Sequence, residues 1–408
     1  MKVQKIALAS LIAALMIAQP VFAAPPAPAD NYRQEGIRIG GGDLQDAKGM
    51  RLGKATLKAQ FDAEGQLDSN VYWTPEDKKT DYLFVLRPKA LLDVPFGIDE
   101  RHLLQLMYTG EGGLFANQTK QNYYNQTGAA NLNMRMSSGY LNVNEAFTAT
   151  SDRAGTEFTQ RIDRYENRAG ATVGVEINKL TFEAGYTNFF KRYLESPYTK
   201  LNYVENILRG TAFYQLFPKT KVLLDYTFGL LDYYNDGSRD GYYNQVVTGV
   251  KGELTGKTTG IAKAGFQQRD YDANDGYIGF VGELGLVSRL TDRTQLTVKY
   301  ATTPVESTYE NNNYYTENMF GMELDQKLMG KLSLLLNSSF SYNRYPEEDS
   351  VSLKKRRDFI ITEGAGLKYS LKDWGRIYLG YQYKQRASNV GSQRYNDHLF
   401  TTRFSLLY

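Results

Sequence analysis

An alternation of apolar and polar residues, with a period of two, runs from about residue 55 to the end of the chain. In the last ten residues, Phe400, Phe404, Leu406 and Tyr408 fall on one side of an extended strand, whereas Arg403 falls on the other. Earlier segments repeat the rule, as in Leu180, Phe182, Ala184 and Tyr186. A sustained period of two predicts β-strands, so the expected fold class is all-β.

The first residues have the pattern of an export signal. Lys2 and Lys5 precede an apolar run from Ile6 to Ala18, and a small-residue cleavage site follows at Ala23. We therefore predict a signal peptide at residues 1–23 and a protein that leaves the cytoplasm. No later segment approaches the roughly 18 consecutive apolar residues that a membrane helix needs, which excludes a helical inner-membrane protein.

The composition fits a barrel in a membrane better than a soluble protein of two or three domains. The chain has 32 Tyr, 20 Phe and 37 Gly against 11 Pro, yet it is hydrophilic on average, with a mean hydropathy of -0.49. A transmembrane β-barrel has this composition because only alternate residues face lipid. The alternative is an amphipathic edge strand in a secreted β-sandwich, but the pattern recurs along nearly the whole chain. Residues 54–408 are therefore assigned to the barrel.

The connections between the predicted strands alternate between short and long. Short turns such as Asn178-Lys179 and long polar segments such as residues 150–168 follow one another strictly. Bacterial outer-membrane barrels have tight periplasmic turns and longer outer loops, and a single chain has an even number of strands. Nine long loops therefore predict an up-and-down antiparallel barrel of about 18 strands, within a range of 16–20. Such a barrel leaves a water-filled interior.

Residues 24–53 carry no clear strand pattern. They contain the segment APPAPAD and the glycine run at residues 40–42. We expect a flexible periplasmic lead, with a plug folded into the lumen as the alternative. Glu145 and Glu363 fall on the lipid-facing side of their strands, and we expect a β-bulge or a miscounted strand to turn each of them inward.

The opening of the barrel resembles a known family. Residues 68–72 read DSNVY, residues 81–88 read DYLFVLRP, and residues 92–97 read LDVPFG. These segments are similar to the opening of the second putative beta-barrel porin family. The resemblance implies an integral outer-membrane barrel of a Gram-negative bacterium, and some members are encoded among exopolysaccharide export genes. The final strand is similar to those whose closing aromatic residue the barrel assembly machinery recognises, which makes Phe400, Phe404, Leu406 and Tyr408 the predicted assembly signal.

No catalytic or cofactor site is predicted. His102 follows a short turn and His398 follows a long loop, so they are expected at opposite rims rather than in one constellation. There is no cysteine, which removes disulfides, thiolate metal sites and covalently bound haem. Asp270, Asp272 and Asn274 have only part of a calcium-loop spacing. We expect a non-enzymatic protein that binds no cofactor or metal, with a weak calcium contact as the alternative.

Two surface patterns concern partners. The basic run at residues 354–357 faces lipopolysaccharide phosphate or solvent in the predicted topology, and a mature net charge of about +1 gives no bulk argument for nucleic acid. The tyrosine pairs predict an aromatic girdle at the membrane interface, with platforms for sugar rings as the alternative. These pairs are Tyr123 and Tyr124, Tyr233 and Tyr234, Tyr242 and Tyr243, and Tyr314 and Tyr315.

The predicted lumen carries both signs of charge. A charge on every few residues of an apolar strand is costly in lipid and tolerated in a wet lumen. The candidate lining residues are Lys58, Asp62, Arg87, Lys89, Asp93, Arg135, Glu183, Arg209, Asp225, Lys251, Glu253, Lys263, Glu283, Lys299, Glu323, Asp325, Arg376, Lys384 and Arg403. Opposite charges on neighbouring strands suggest a wall of ion pairs with a weak transverse field.

The favoured function is a porin-like channel for passive passage of polar solutes. A conduit for exopolysaccharide export is the first alternative, and a sheath that encloses a partner protein is the second. Outer-membrane lipid, lipopolysaccharide and the barrel assembly machinery are the expected partners, with polysaccharide as a further candidate and no nucleic acid. Both termini are expected in the periplasm. The sequence does not specify the transported substrate or the oligomeric state.

Overall fold

The computed structural model describes residues 44, 47–273, 276–309 and 312–408. The predicted signal peptide and most of the lead at residues 24–53 lie outside the described residues, as does the plug alternative. Among the described residues, no helix has the length and apolar character needed to cross a membrane.

The described chain is almost entirely β-strand, because its alternating sequence buries one face of each strand and exposes the other. The strands are β1 Met50–Leu52, β2 Ala55–Asp68, β3 Asp81–Phe96, β4 His102–Phe115, β5 Tyr123–Met136, β6 Gly139–Thr150, β7 Arg164–Ile177, β8 Leu180–Tyr193, β9 Tyr203–Phe217, β10 Thr220–Tyr233, β11 Gly241–Thr255, β12 Thr258–Tyr271, β13 Tyr277–Thr291, β14 Thr294–Glu306, β15 Tyr314–Met329, β16 Leu332–Glu348, β17 Lys355–Lys372, β18 Gly375–Ser388 and β19 Tyr395–Leu407. Short 3-10 turns occur at Ile98–Glu100, Thr119–Gln121, Tyr198–Leu201, Gly237–Arg239 and Gly391–Gln393.

Strands β2 to β19 form a closed antiparallel barrel, which confirms the predicted fold class and the number of 18 strands. Each strand pairs with the next along the chain, and β19 returns to pair with β2 from Leu399↔Asp68 to Leu407↔Gln60. Tyr408 exchanges both backbone hydrogen bonds with Ala59, at 2.9 and 3.0 Å. The short strand β1 pairs with β2 just beyond this point, in line with β19.

The two ends of the barrel differ as the sequence predicts. Turns of two residues join most strands at one end, whereas loops of five to thirteen residues join them at the other, the longest being loop 151–163. We call these the turn end and the mouth. Register shifts occur beside five of the tight turns and once at the mouth, between Arg344 and Glu348.

The outer face is apolar and exposed, as lipid contact requires. Phe266 is 68% exposed and Leu208 is 55% exposed, whereas Asp62 and Asp225 on the inner face are fully buried. Near the mouth, outward tyrosine hydroxyls donate hydrogen bonds to an asparagine on the next strand, as in Tyr226 to Asn244 at 2.7 Å. Such rings with a satisfied polar tip are typical of a membrane interface.

The expected inward turn of Glu145 and Glu363 is wrong. Neither the pairing of β6 nor that of β17 shifts near these residues, so the period of two holds and both side chains stay on the outer face. Glu363 receives a hydrogen bond at 2.9 Å from the hydroxyl of Ser338, its direct cross-strand neighbour. A hydroxyl donor on the same face therefore replaces the bulge.

Candidate functional site

The strand registers place all of the charged residues predicted for the lumen on the inner face of the barrel. Lys58, for example, stands opposite the buried Leu91, and Arg376 stands opposite the buried Ser405. Their influence on solutes in the lumen depends on how their charges are paired.

One carboxylate connects three strands at the seam, where β19 closes onto β2. Glu64 on β2 accepts hydrogen bonds at 2.9 and 3.1 Å from both terminal nitrogens of Arg87, and a further one from Nε of Arg403 on β19. Arg87 also donates to Glu111 on β4. Lys89 lies 2.9 Å from Asp62. The sequence argument missed Glu64 and Glu111, although their positions in the alternation place them on the inner face.

A second group of ion pairs lies on the other side of the barrel. Nε of Arg209 donates to Asp225, which also accepts a hydrogen bond from Thr211 at 2.6 Å. Lys263 and Glu283 are cross-strand neighbours 2.6 Å apart. Opposite charges that face each other across a strand pair stabilise the sheet and cancel much of each other's field.

The remaining predicted lumen residues are distributed between these groups and the turn end. Asp93 accepts from Gln105 at 2.9 Å, Glu183 accepts from Tyr140, Arg135 lies 2.9 Å from Glu176, and Glu253 lies 2.6 Å from Lys219. Further members face the same space at separate positions, namely Lys58, Lys251, Lys299, Glu323, Asp325 and Arg376. Lys384 belongs to the mouth.

The mouth is crossed by loop 151–163, which leaves the wall between β6 and β7. The hydroxyl of Thr156 accepts from Nδ2 of Asn343 on β16 at 2.9 Å, and its carbonyl accepts from Arg386 on β18. Glu157, which is buried, accepts from the Ser307 hydroxyl at 2.6 Å and from the backbone and hydroxyl of Thr308 at 2.7 and 2.8 Å. In a ring of 18 strands, β15 and β16 lie opposite β6 and β7, so the loop spans the lumen.

One side of the mouth gathers cations around an aromatic pair. Trp73, from loop 69–80, stacks on Tyr395 with ring centroids 4.9 Å apart. The guanidinium of Arg153 and the ammonium of Lys384 lie 4.0 and 3.8 Å from the centre of the Trp73 ring, and the guanidinium of Arg386 lies 4.8 Å from the centre of the Tyr395 ring. We call Arg153, Lys384 and Arg386, with these two rings, the cation cluster.

The loop that carries Trp73 is fixed by one buried side chain. Nδ2 of Asn70 donates to the carbonyls of Thr74 and Asn396, at 2.8 and 2.9 Å, and its Oδ1 accepts from the Thr74 backbone at 3.1 Å. The carbonyl of the neighbouring Val71 accepts from Arg153. Burial and the nearby Arg161 guanidinium lower the pKa of Arg153 to about 10. Loops 69–80 and 151–163 therefore contact each other at this side of the mouth.

The other side of the mouth is filled by a packed cluster. Its apolar part consists of Phe189, Tyr203, Leu231, Tyr233 and Tyr243, all of which are buried. Beside this cluster, Arg239 in loop 234–240 donates to the carbonyls of Ser307 and Asn312 in loop 307–313. Loops from distant strands thus close over this half of the barrel.

Comparison with known proteins identifies the family. The family model described as putative beta-barrel porin 2 matches residues 45–405. The chain belongs to this porin family. The predicted resemblance is thereby confirmed over the whole barrel, and with it the prediction of a porin-type outer-membrane barrel.

Solved structures similar to this porin include OpdK of Pseudomonas aeruginosa with vanillate, at 11% identity and a TM-score of 0.48, covering 86% of this chain and 99% of that one. OccK2 (OpdF) of the same species matches at 12% and 0.47, covering 86% and 98%, and OccAB3 of Acinetobacter baumannii matches at 8% and 0.47, covering 88% and 100%. No curated protein matches the chain in sequence.

The porin structure corrects the predictions for the tyrosine pairs and the basic run. The period of two splits them, so Tyr233, Tyr243 and Tyr315 point into the mouth and are buried, unable to serve as platforms for sugar rings. Arg356 likewise points inward and is fully buried against Asp358, at 2.5 Å. The basic run is therefore not one continuous surface patch.

The two histidines lie at opposite ends of the barrel, as predicted from the loops. Nδ1 of His102 accepts from the Arg135 backbone at the turn end, and His398 shares a hydrogen bond of 2.8 Å with the Tyr381 hydroxyl on the outer face. For the candidate calcium loop, Asn274 lies outside the described residues. Within the described chain, no three acidic or histidine side chains gather as metal ligands.

Proposed function

We propose that the barrel is a passive outer-membrane channel for polar solutes, and that loop 151–163 sets its narrowest part. The observation that carries this proposal is the connection of Thr156 and Glu157 to the opposite wall. A chain segment tied across a water-filled cylinder reduces its cross-section, and selectivity then depends on the groups that line the remaining opening.

The alternatives are less consistent with this geometry. A sheath needs a lumen wide enough for a folded protein, whereas loop 151–163 crosses that space. Export of exopolysaccharide would be favoured by tyrosines at the rim that bind sugar rings, but Tyr233, Tyr243 and Tyr315 are buried. Neither alternative is favoured by a specific contact in the described residues.

Single-channel recordings in planar bilayers test the proposal. Wild-type protein is expected to give discrete conductance steps. Glu157→Ala removes three hydrogen bonds to a carboxylate, each worth about 1.5–3 kcal/mol, and is expected to release the loop tip and raise the conductance. Asp163→Ala serves as the control, because Asp163 lies in the same loop but is exposed and its side chain makes no hydrogen bond within the described structure.

The result that contradicts the proposal is an ion-tight wild-type barrel. Equal conductance in wild type and Glu157→Ala would retain the channel but remove loop 151–163 as its constriction. A change in Asp163→Ala as large as that in Glu157→Ala would assign the effect to the loss of charge from the loop rather than to its release.

The proposal includes an orientation, with the mouth outside the cell beside lipopolysaccharide and both termini in the periplasm. Because the chain has no cysteine, single cysteines report it cleanly. In intact cells, an impermeant maleimide is expected to label Val351→Cys at the mouth and to miss Lys179→Cys at the turn end, and the reverse pattern contradicts the orientation. Deleting Tyr408 is expected to lower the folded fraction, because that residue belongs to the proposed signal for the assembly machinery.

A further inference from the structure

Within the described residues, none of the three cations of the cation cluster forms a salt bridge with a carboxylate. Lys384 makes no salt bridge or hydrogen bond with any described residue, and its ammonium faces the ring of Trp73. Arg386 donates to the carbonyls of Thr156 and Gln393 and to the Gln393 side chain, and Arg153 donates to the carbonyls of Thr159 and Val71. The acceptors of Arg386 and Arg153 are therefore neutral and do not compensate the positive charge of these two arginines.

The nearest carboxylates are engaged elsewhere. Asp397 stands opposite Lys384 in the register of β18 and β19, but it accepts a hydrogen bond from the Ser69 hydroxyl at 2.9 Å and forms no salt bridge with the lysine. Asp68, at the end of β2, accepts from the Asn70 backbone at 2.8 Å and lies beside Asp397. Asp152 and Asp358 also lie near the cluster, but they pair with Arg161 and Arg356. The three cations therefore outnumber the two remaining carboxylates.

The nearest inner-face positions below Lys384 carry no charged side chain. The inner-face positions that follow toward the turn end on β17, β18 and β19 are uncharged, namely Thr362, Gly364, Gly366, Gln382, Gly380, Leu399 and Thr401. Arg386 is 1% exposed, whereas Lys384, on the inner face of the same strand, is partly exposed. The charge lies beside the loop that narrows the mouth.

We propose that the cation cluster makes this channel selective for small organic anions, with a carboxylate as the recognised group and Lys384 as the residue that meets it. This inference rests on the proposed channel function and deepens it. An ammonium in a narrow, partly dehydrated opening attracts anions and repels cations, because water screens it less there than at an open surface. The arginines and the two rings position Lys384, since their own hydrogen bonds or packing are already made.

Ion selectivity in planar bilayers under a potassium chloride gradient tests the inference. Wild type is expected to prefer chloride over potassium, and Lys384→Gln is expected to lower the permeability ratio by about threefold or more. Lys384→Arg retains the charge and is expected to retain the preference. Lys355→Gln is the matched control, because Lys355 lies at the same mouth but is exposed on the outer face of β17.

Liposome swelling gives a second measurement with organic solutes of similar size. Gluconate is expected to enter wild-type liposomes faster than glucose, and Lys384→Gln is expected to reduce that difference. Conducting channels whose selectivity is the same in wild type and Lys384→Gln would overturn the inference but leave the channel function intact. An equal loss of selectivity in Lys355→Gln, or a loss in Lys384→Arg, would also overturn it, whereas a wild type without conductance would refute the channel itself.

Discussion

The carboxylates of the barrel wall where β19 closes onto β2, the seam, have different hydrogen-bond partners from those of the mouth. At the seam, Glu64 pairs with two arginines, and the charges of the wall cancel locally. At the mouth, Glu157 and Asp349 accept hydrogen bonds from neutral hydroxyls and backbone N–H groups. The hydroxyl of Tyr309 and the backbone N–H of Ser352, for example, both donate to Asp349. The acidic groups at the seam therefore pair with cations, whereas these mouth carboxylates hold loops in place.

The difference shows how a chain with balanced charge can still produce a local field. Ion pairs remain at the mouth, as between Arg164 and Glu166 at 2.6 Å, but the cation cluster has none. Overall balance thus says little about the narrowest part of a channel. The weak transverse field inferred from the sequence describes the paired wall and misses the cluster around Lys384.

Breaking the seam should have the largest effect. Glu64→Gln leaves Arg87 and Arg403 without their shared carboxylate, although both arginines are about one-sixth exposed. We expect a loss of about 2–4 kcal/mol in the free energy of unfolding, measured by denaturant titration in lipid vesicles. Glu253→Gln, whose partner Lys219 is 72% exposed, should cost less than about 1 kcal/mol. Equal losses in the two variants would mean that burial of the seam carboxylate does not matter.

A charge-neutral double replacement should sharpen the contrast in selectivity. Arg209→Gln leaves the fully buried Asp225 with only Thr211 and Thr227 as donors, and should shift permeability toward potassium by about twofold. Adding Asp225→Asn should restore the wild-type ratio, because the wall then loses a neutral pair. Reversal potentials measure all three proteins. Failure of the second replacement to restore the ratio would show that paired wall charges also set selectivity.

The smallest effect is expected when acid protonates Asp349 and loosens loop 349–354. Hydrogen bonds from Tyr309 and from Ser352 lower the pKa of Asp349 from 3.8 to about 2. A carboxylate with a lowered pKa contributes its stabilisation above its ordinary pKa and loses it as the pH falls through the lowered one. Pepsin cleavage at the exposed Leu353 should therefore be slow at pH 4 and faster near pH 2.

The control for this prediction is Asp349→Asn, which cannot carry the charge at any pH. Its cleavage at pH 4 should already resemble that of wild type near pH 2. If wild type and Asp349→Asn are cleaved equally at pH 4, the carboxylate does not hold this loop in place.

Contacts between side chains from distant parts of the barrel could not be predicted from the sequence. Loop 151–163 has no periodicity, and the partners of Glu157 lie 150 or more positions further along the chain. Trp73 and Arg153 were not singled out, although the resemblance already included Asn70 and Val71, which position them. The expected bulge at Glu363 was wrong because the hydroxyl of its cross-strand neighbour Ser338 serves the outward carboxylate, which no single-strand pattern reveals. The expected bulge at Glu145 was wrong as well, although its cross-strand neighbours are Ala130 and Ala169 and offer no such donor.

The sequence by itself determined the closed barrel, its 18 strands, its two unlike ends and the side of each strand that faces the lumen. These features follow from local rules, since the period of two fixes the face and the length of each connection fixes the end. Only the tertiary structure decided which charges cancel and which remain, because that depends on the closure of β19 onto β2 and on a loop that reaches the opposite wall. The field at the mouth is a property of the closed ring, and no single segment of the chain contains it.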